Sequence, residues 1–385
     1  MGNMLRHHGV IAAVATVATV ALLAAQAHAQ TGPFTGVTES TLEGGAAQMT
    51  GLVSLVTDGK VATKRFVLRL PSGSRPWNGA LVIGAHGGGG GDDYDRSGTV
   101  IGTDETALDD VIGRYSLAAG FAYASVDRDG FGGTREGLAL TYAFTDAAKA
   151  EVQKRVGRAP ARVYLVGLSA GGGITRLAAE DARRMYAGTL LIAGGGGDLP
   201  TRQDRAARMA TLWPEVDPRA HPGLLATDPN VRAYADAIGT PVEARRLWPD
   251  TGASAVAAAS RPQAPGENTT GVIRVPTIEV VGTWDDLVIR EIRAYQARVQ
   301  PQNMHRLYQV EGVWHMSSDD DGVWSFQYIA ESRMKLGKDV ADAMGEGPSY
   351  LPTVHEAFDD LVQWVERGTP APPGQIVKPG VRLRR

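Results

Sequence analysis

Hydrophobic positions along the chain repeat with two periods, and the two periods take turns. Residues 64–70, Lys-Arg-Phe-Val-Leu-Arg-Leu, alternate and predict a strand that stops at Pro71-Ser72-Gly73-Ser74. Apolar runs at 80–85, 121–126, 163–166, 187–193 and 275–281 predict strands of the buried type, and 305–310 predicts another. Residues 106–119, 140–156 and 287–300 carry apolar side chains at helical spacing, and Ile174, Leu177 and Ala178 begin a helix after 163–166. Residues 352–367 predict an amphipathic helix with Val354, Phe358, Leu361, Trp364 and Val365 on one face. Strands alternating with helices of this length predict an α/β fold with a mostly parallel central sheet, right-handed crossovers and helices on its flanks.

Three stretches fall outside the alternation. Residues 30–59 are small and polar, show no clear period, and read as a loosely packed lead-in. Residues 199–271 are rich in proline, alanine and nearly balanced charge, with Trp213, Tyr234 and Trp248 scattered through them. They read as a cap-like insertion inside one domain spanning 30–385. The tail from Gly368 is proline-rich and basic, and is expected to be irregular.

The 163–166 run leads into Gly167-Leu168-Ser169-Ala170-Gly171, and a helix follows. Strand, Gly-x-Ser-x-Gly and helix in succession describe a sharp turn that projects the serine oxygen out of the sheet edge. Glycines on either side remove the Cβ atoms that would collide in so tight a bend. The following helix aims its free N–H groups and its positive end at the same place. The plainer reading, a glycine-rich loop, does not account for the flanking elements. Three further features converge on Ser169.

The first is His86-Gly87-Gly88-Gly89-Gly90-Gly91-Asp92, directly after the 80–85 strand. Backbone N–H groups there could stabilise the negative charge that develops on a carbonyl oxygen during acyl transfer. Gly88, with Gly89, and Ala170 after the serine are the candidate donors. The second is Gly282-Thr283-Trp284-Asp285-Asp286, after the 275–281 strand, where one carboxylate can orient a histidine and the other can cap the next helix. The third is Gly312-Val313-Trp314-His315, after the 305–310 strand. His86 belongs to the glycine loop, His221 to the insertion, His305 to a strand start and His355 to a helix. His315 alone has a general base's address, on a loop beyond a late strand.

Serine, acid and histidine in that chain order, with acid and histidine after successive late strands, resemble the α/β-hydrolase superfamily. The likeness covers about residues 64–198 and 272–367. The loop His86-Gly-Gly-Gly resembles that of lipases and esterases. Leu361-Val-Gln-Trp-Val-Glu-Arg-Gly resembles the last helix of secreted tannase and feruloyl-esterase-like proteins. Those families carry cysteines beside the serine and histidine, and this chain has none, so the resemblance is taken at superfamily level. The Gly-x-x-Asp spacing seen in the superfamily selects Asp285 over Asp286. The resemblance implies an exported serine hydrolase acting on a small-molecule or polymeric ester through an acyl-enzyme, with an amidase or peptidase as the alternative on the same residues. A non-catalytic binding protein on this fold is a third reading, and a fluorophosphonate label separates it from the enzymes. Trp213 and Trp248 would line the substrate side.

Composition narrows the field. Among 385 residues, 43% are hydrophobic and 21% charged, a globular balance with ample material for a core. A net charge of −3 gives no case for nucleic acid or an anionic membrane surface. The absence of cysteine removes disulfides, thiolate metal sites and a cysteine nucleophile. The serine chemistry needs no metal and no organic cofactor. At the N-terminus, Arg6, His7 and His8 precede an apolar run at 10–25, and Ala27-His28-Ala29 fits a small-x-small cleavage site. The expectation is a signal peptide over 1–29, a mature chain from Gln30, and a secreted or periplasmic protein without a stable membrane anchor.

Overall fold

A computed structural model of the chain describes residues 32–72, 76–87, 92–94, 97–128, 135–195, 269–283, 285, 288–313, 315 and 348–384. The strands are β1 (Phe34–Thr41), β2 (Ala47–Thr57), β3 (Lys60–Leu70), β4 (Ala80–Ala85), the short β5 (Asp93–Tyr94) and β6 (Val100–Gly102), β7 (Ala122–Val126), β8 (Arg162–Leu168), β9 (Gly188–Ile192), β10 (Thr277–Gly282), β11 (His305–Val310) and β12 (Gln375–Val377). The helices are α1 (Arg114–Ala118), α2 (Arg135–Val156), α3 (Ala170–Glu180), α4 (Ile289–Arg298) and α5 (Leu351–Arg367). One ten-stranded sheet runs β1-β2-β3-β7-β4-β8-β9-β10-β11-β12, and β5 pairs with β6 apart from it. From β7 to β12 every pairing is parallel, while β1, β2, β3 and β7 pair antiparallel.

The sheet divides the core into two layers because successive side chains leave a strand on opposite faces. On β8, Val163 and Leu165 face one layer with Leu138, Phe144 and Val152 of α2 and Ile174 of α3. Tyr164, Val166 and Leu168 face the other, against Ile292 of α4 and Val354, Phe358 and Leu361 of α5. The stripe on 352–367 buries as its spacing predicts, with Trp364 and Val365 packed at its margin. That helix stops at Gly368, whose left-handed backbone (φ 68°) closes the last turn through its N–H to Trp364 O.

Two expectations need correction, and a third, the helix over 106–119, is refined. The stretch expected to be a loose lead-in, 30–59, is not one over its described residues 32–59, because β1 and β2 form an antiparallel hairpin that extends the sheet. The period is masked by Gly51, which β1 requires. A Cβ at Gly51 would lie 2.9 Å from Thr35 O and 3.0 Å from Gly36 O. The tail from Gly368 is not wholly irregular either, since β12 adds in parallel to β11. Its three residues lie close after Pro372 and Pro373 and acquire strand form from the neighbour they pair with. Residues 106–119 divide into a 3₁₀ turn Asp104–Thr106, a widened π turn Asp109–Gly113 and α1. The widened turn carries Asp109 inward, where Arg69 donates to both carboxylate oxygens at 2.6 and 2.7 Å.

Candidate active site

Strand order sets where a ligand can sit. From β4 the chain moves to β7 on one side, and from β7 it crosses to β8 on the other side of β4. Such a reversal opens a crevice beyond the carboxyl ends of the two strands. The ladders run level along that edge: Ala85 pairs with Gly167, Leu168 with Ile192, and Gly282 with Val310. Residues just past these ends therefore meet.

Ser169 is the single residue between β8 and α3. Its backbone sits at φ 53°, ψ −117°, outside the favoured regions for a residue with a side chain. A conformation of this kind costs about 1–3 kcal/mol and persists only where its surroundings over-determine it. Here Ser169 N donates to Ile192 O at 2.9 Å, and Ser169 O accepts Gly195 N–H at 2.8 Å and Gly173 N–H at 3.2 Å. Glycine on both sides is a steric requirement. A Cβ on Gly167 would collide with Thr175 Oγ1 and Gly171 O, and one on Gly171 with Ala85 O. Ala170 is the first residue of α3, so its N–H has no acceptor within the helix and is free to face the crevice.

Asp285 follows β10 by three residues, and its side chain is fully buried. His315 follows β11 by five residues and has 3% of its side chain exposed. His315 Nδ1 lies 2.9 Å from Asp285 Oδ2, and Nε2 lies 2.8 Å from Ser169 Oγ. The carboxylate fixes the tautomer: Nδ1 carries the proton that Asp285 accepts, which leaves Nε2 as a lone-pair acceptor toward the serine. Asp285 Oδ1 accepts the Val288 N–H at 3.3 Å, at the entrance to α4. One aspartate thus both orients the histidine and receives an N–H of the helix start; Asp286, the alternative, lies outside the described residues.

Two supports had no signal in the sequence. Thr283 Oγ1 accepts Gly312 N–H at 3.0 Å and ties the two turns that carry Asp285 and His315. Tyr350, buried before α5, donates its hydroxyl to His315 O at 3.2 Å. The other described histidines are engaged elsewhere. His355 stacks on Tyr115 and meets Val111 O, His305 faces Glu279, and His86 contacts Asp104.

Gly87, the first glycine after β4, lies in the crevice beside the serine. A Cβ at Gly87 would lie 2.7 Å from Ser169 Cβ and 3.4 Å from its Oγ, so main chain forms that wall. Gly88 and Gly89 lie outside the described residues, as do Trp213, Tyr234 and Trp248. Behind Gly87 sits a buried polar group that sequence reasoning missed: His86, Asp104 and Arg128. Burial, reinforced by Arg128's charge, lowers the His86 imidazole to about 3. Burial, and then a hydrogen bond with Asp127, raises the Asp104 carboxyl to about 8. Burial also lowers the Arg128 guanidinium to about 10, which leaves it charged. No group of three His, Asp or Glu side chains among the described residues is arranged to hold a metal ion.

A sequence model of the Alpha/beta hydrolase family matches residues 82–324. No curated protein matches the chain. Solved structures similar to it include feruloyl esterase B from Aspergillus oryzae, with a TM-score of 0.49 and 13% identity over 88% of this chain and 87% of that one. Vibralactone cyclase is similar with a TM-score of 0.47 and 14% identity, over 82% and 81% of the two chains. Candida antarctica lipase A in its closed state follows with a TM-score of 0.42 and 13% identity, over 84% and 90%. The family match covers more than half of the chain, from within β4 through the turn at Ser169 to the loops of Asp285 and His315, and this protein belongs to the α/β-hydrolase family.

Proposed function

We propose that this protein is an exported serine hydrolase that cleaves carboxylic esters through Ser169, His315 and Asp285. The observation that carries the reading is the unbroken hydrogen-bonded chain from Ser169 Oγ through the His315 ring to a fully buried Asp285. In this reading Ser169 Oγ attacks the ester carbonyl carbon while its proton passes to His315 Nε2. The developing oxyanion is received by the N–H of Ala170 and by Gly88, with Gly89 beside it. His315 then protonates the departing alkoxide, leaving an acyl group on Ser169. A water molecule gives its proton to His315, adds to the acyl carbon, and releases the carboxylic acid as the serine regains its hydrogen. Asp285 holds the imidazole in place and stabilises the imidazolium that forms twice per cycle.

Residues 1–29 act as the export signal in this reading, and 199–271 as the cap that sizes the substrate. A fluorophosphonate probe, with a panel of nitrophenyl esters of rising chain length, aryl esters and anilides, tests it. The expected result is one labelled serine, hydrolysis of esters well ahead of anilides, and loss of both labelling and turnover in Ser169→Ala without loss of fold. Labelling that survives Ser169→Ala rejects the assignment. Mass spectrometry of the exported protein should find Gln30 as its first residue.

A further inference from the structure

We propose that Arg128 and Asp104 are positioning residues that set the His86–Gly87 peptide against Ser169. The proposal rests on the serine-esterase reading above. It begins where the sheet ends. The pairing of β4 with β7 stops at Gly84 and Ser125, and that of β4 with β8 stops at Ala85 and Gly167. His86 is the first residue of this strand that no ladder pair holds, and it immediately precedes the glycine that touches the serine.

Arg128 takes over that task. It lies two residues past β7 and has 1% of its surface exposed. Its Nη1 donates to the His86 carbonyl oxygen. Its backbone N–H donates to Asp104 Oδ2 at 2.7 Å, and the other oxygen of Asp104 meets His86 Nε2. Main chain and side chain of His86 are thus gripped by one buried unit. The peptide joining His86 to Gly87 is planar and trans, so fixing the carbonyl fixes the direction of the Gly87 N–H on its opposite side. Gly87 is also the residue whose main chain walls the serine.

Asp92, the residue after the glycine run, is anchored through its side chain. Arg65, at the end of the chain that pairs with β7, donates to Asp92 at 2.6 Å and lies within 3.3 Å of Glu105 and 3.5 Å of Asp127. Glu105 adjoins Asp104, and Asp127 adjoins Arg128, so both anchors belong to one network. Burying a guanidinium costs desolvation that an apolar side chain of like volume avoids. What an apolar side chain cannot do is point a peptide.

The test uses the full chain and compares Arg128→Met, Arg128→Lys, Asp104→Leu and wild type. Active sites are counted by fluorophosphonate titration carried to completion, and rates are expressed per titrated serine. A misplacement of about 1 Å in the wall that positions the substrate at the serine costs about 10²-fold in kcat. Arg128→Met should therefore lose about 10²-fold in kcat per site with KM changed less than about twofold. The affinity for a trifluoromethyl ketone, which forms a tetrahedral adduct on the serine, should weaken by the same factor as kcat/KM. Arg128→Lys keeps a donor to His86 O without the planar fork, and should recover part of the loss. A rate per titrated serine within about threefold of wild type in Arg128→Met, or in Asp104→Leu should the methionine variant not fold, overturns the positioning role. A wild-type chain that neither labels nor cleaves any ester overturns the esterase reading and this role with it.

Discussion

Replacing Asp285 by Asn changes one atom and tests the site's logic most directly. Asp285 accepts two hydrogen bonds on separate oxygens, His315 Nδ1–H at 2.9 Å and Val288 N–H at 3.3 Å. Asparagine offers one oxygen and one NH₂ group, so it can satisfy only one of these donors. With its oxygen toward Val288, the NH₂ faces Nδ1 and forces the imidazole into the tautomer protonated at Nε2. That tautomer cannot take the proton of Ser169. With the oxygen toward His315, the NH₂ opposes the Val288 N–H at a fully buried position. A wrongly protonated histidine costs about 10⁴-fold in kcat, or about 5.4 kcal/mol of barrier at 1.36 kcal/mol per decade. A lost hydrogen bond to a buried charge costs about 1.5–3 kcal/mol of fold stability, a separate and smaller effect. Stopped-flow acylation of titrated enzyme with a nitrophenyl ester reads the first, and urea unfolding the second. Asp285→Asn retaining more than a tenth of wild-type kcat per titrated serine would refute the argument, as would a larger loss in Asp286→Asn.

Ser169→Gly should end turnover yet raise the urea midpoint, by an amount equivalent to about 1 kcal/mol, because glycine adopts φ 53° without strain; a lower midpoint would show that the turn is not strained. The buried pair behind Gly87 gives stability a pH signature. His86, lowered to about 3, binds fewer protons folded than unfolded between about pH 3 and 6.5, so stability rises with pH there. Asp104, raised to about 8, binds more protons folded than unfolded between about 4 and 8, so stability falls with pH there. The two slopes oppose between about 4 and 6.5, which leaves net loss below 4 and again from 6.5 to 8. Asp104→Asn should abolish the loss above 6.5 in a series of thermal melts, and a slope that persists contradicts the assignment. Trp213→Ala and Trp248→Ala should reorder ester preference by acyl size while acetyl ester cleavage stays near wild type. Equal losses on every ester would make those tryptophans structural.

The legible parts of the chain were those governed by local rules. Buried strands such as 80–85 and 305–310 carry their signal in continuous apolar residues, and β4 and β11 occupy those bounds. The turn at Ser169 was legible because the geometry demands small residues at fixed offsets from the serine. Asp285 and His315 were legible because each follows a strand that the same pattern locates. Hidden features depend on partners far along the chain. Gly51 interrupts the period of β2 because β1 crosses it, and β12 is a strand only through β11. Arg128 and Asp104 meet His86 across 42 and 18 positions, and a charged residue between two strands looks like any surface residue until the sheet closes.

The level carboxyl edge has a consequence for the order in which the molecule becomes competent. Ser169 and His315 are 146 residues apart, and β9 and β10 stand between their strands. A ribosome finishes the serine and its turn long before it makes the base. Until β10 and β11 dock in register, Gly282 against Val310, Ser169 Oγ lacks its His315 neighbour. Under the proposed mechanism, the nascent chain is inert by topology until then. Under the same proposal, chains ending before His315 should be silent, and recovery of esterase activity on refolding would time the arrival of the late strands.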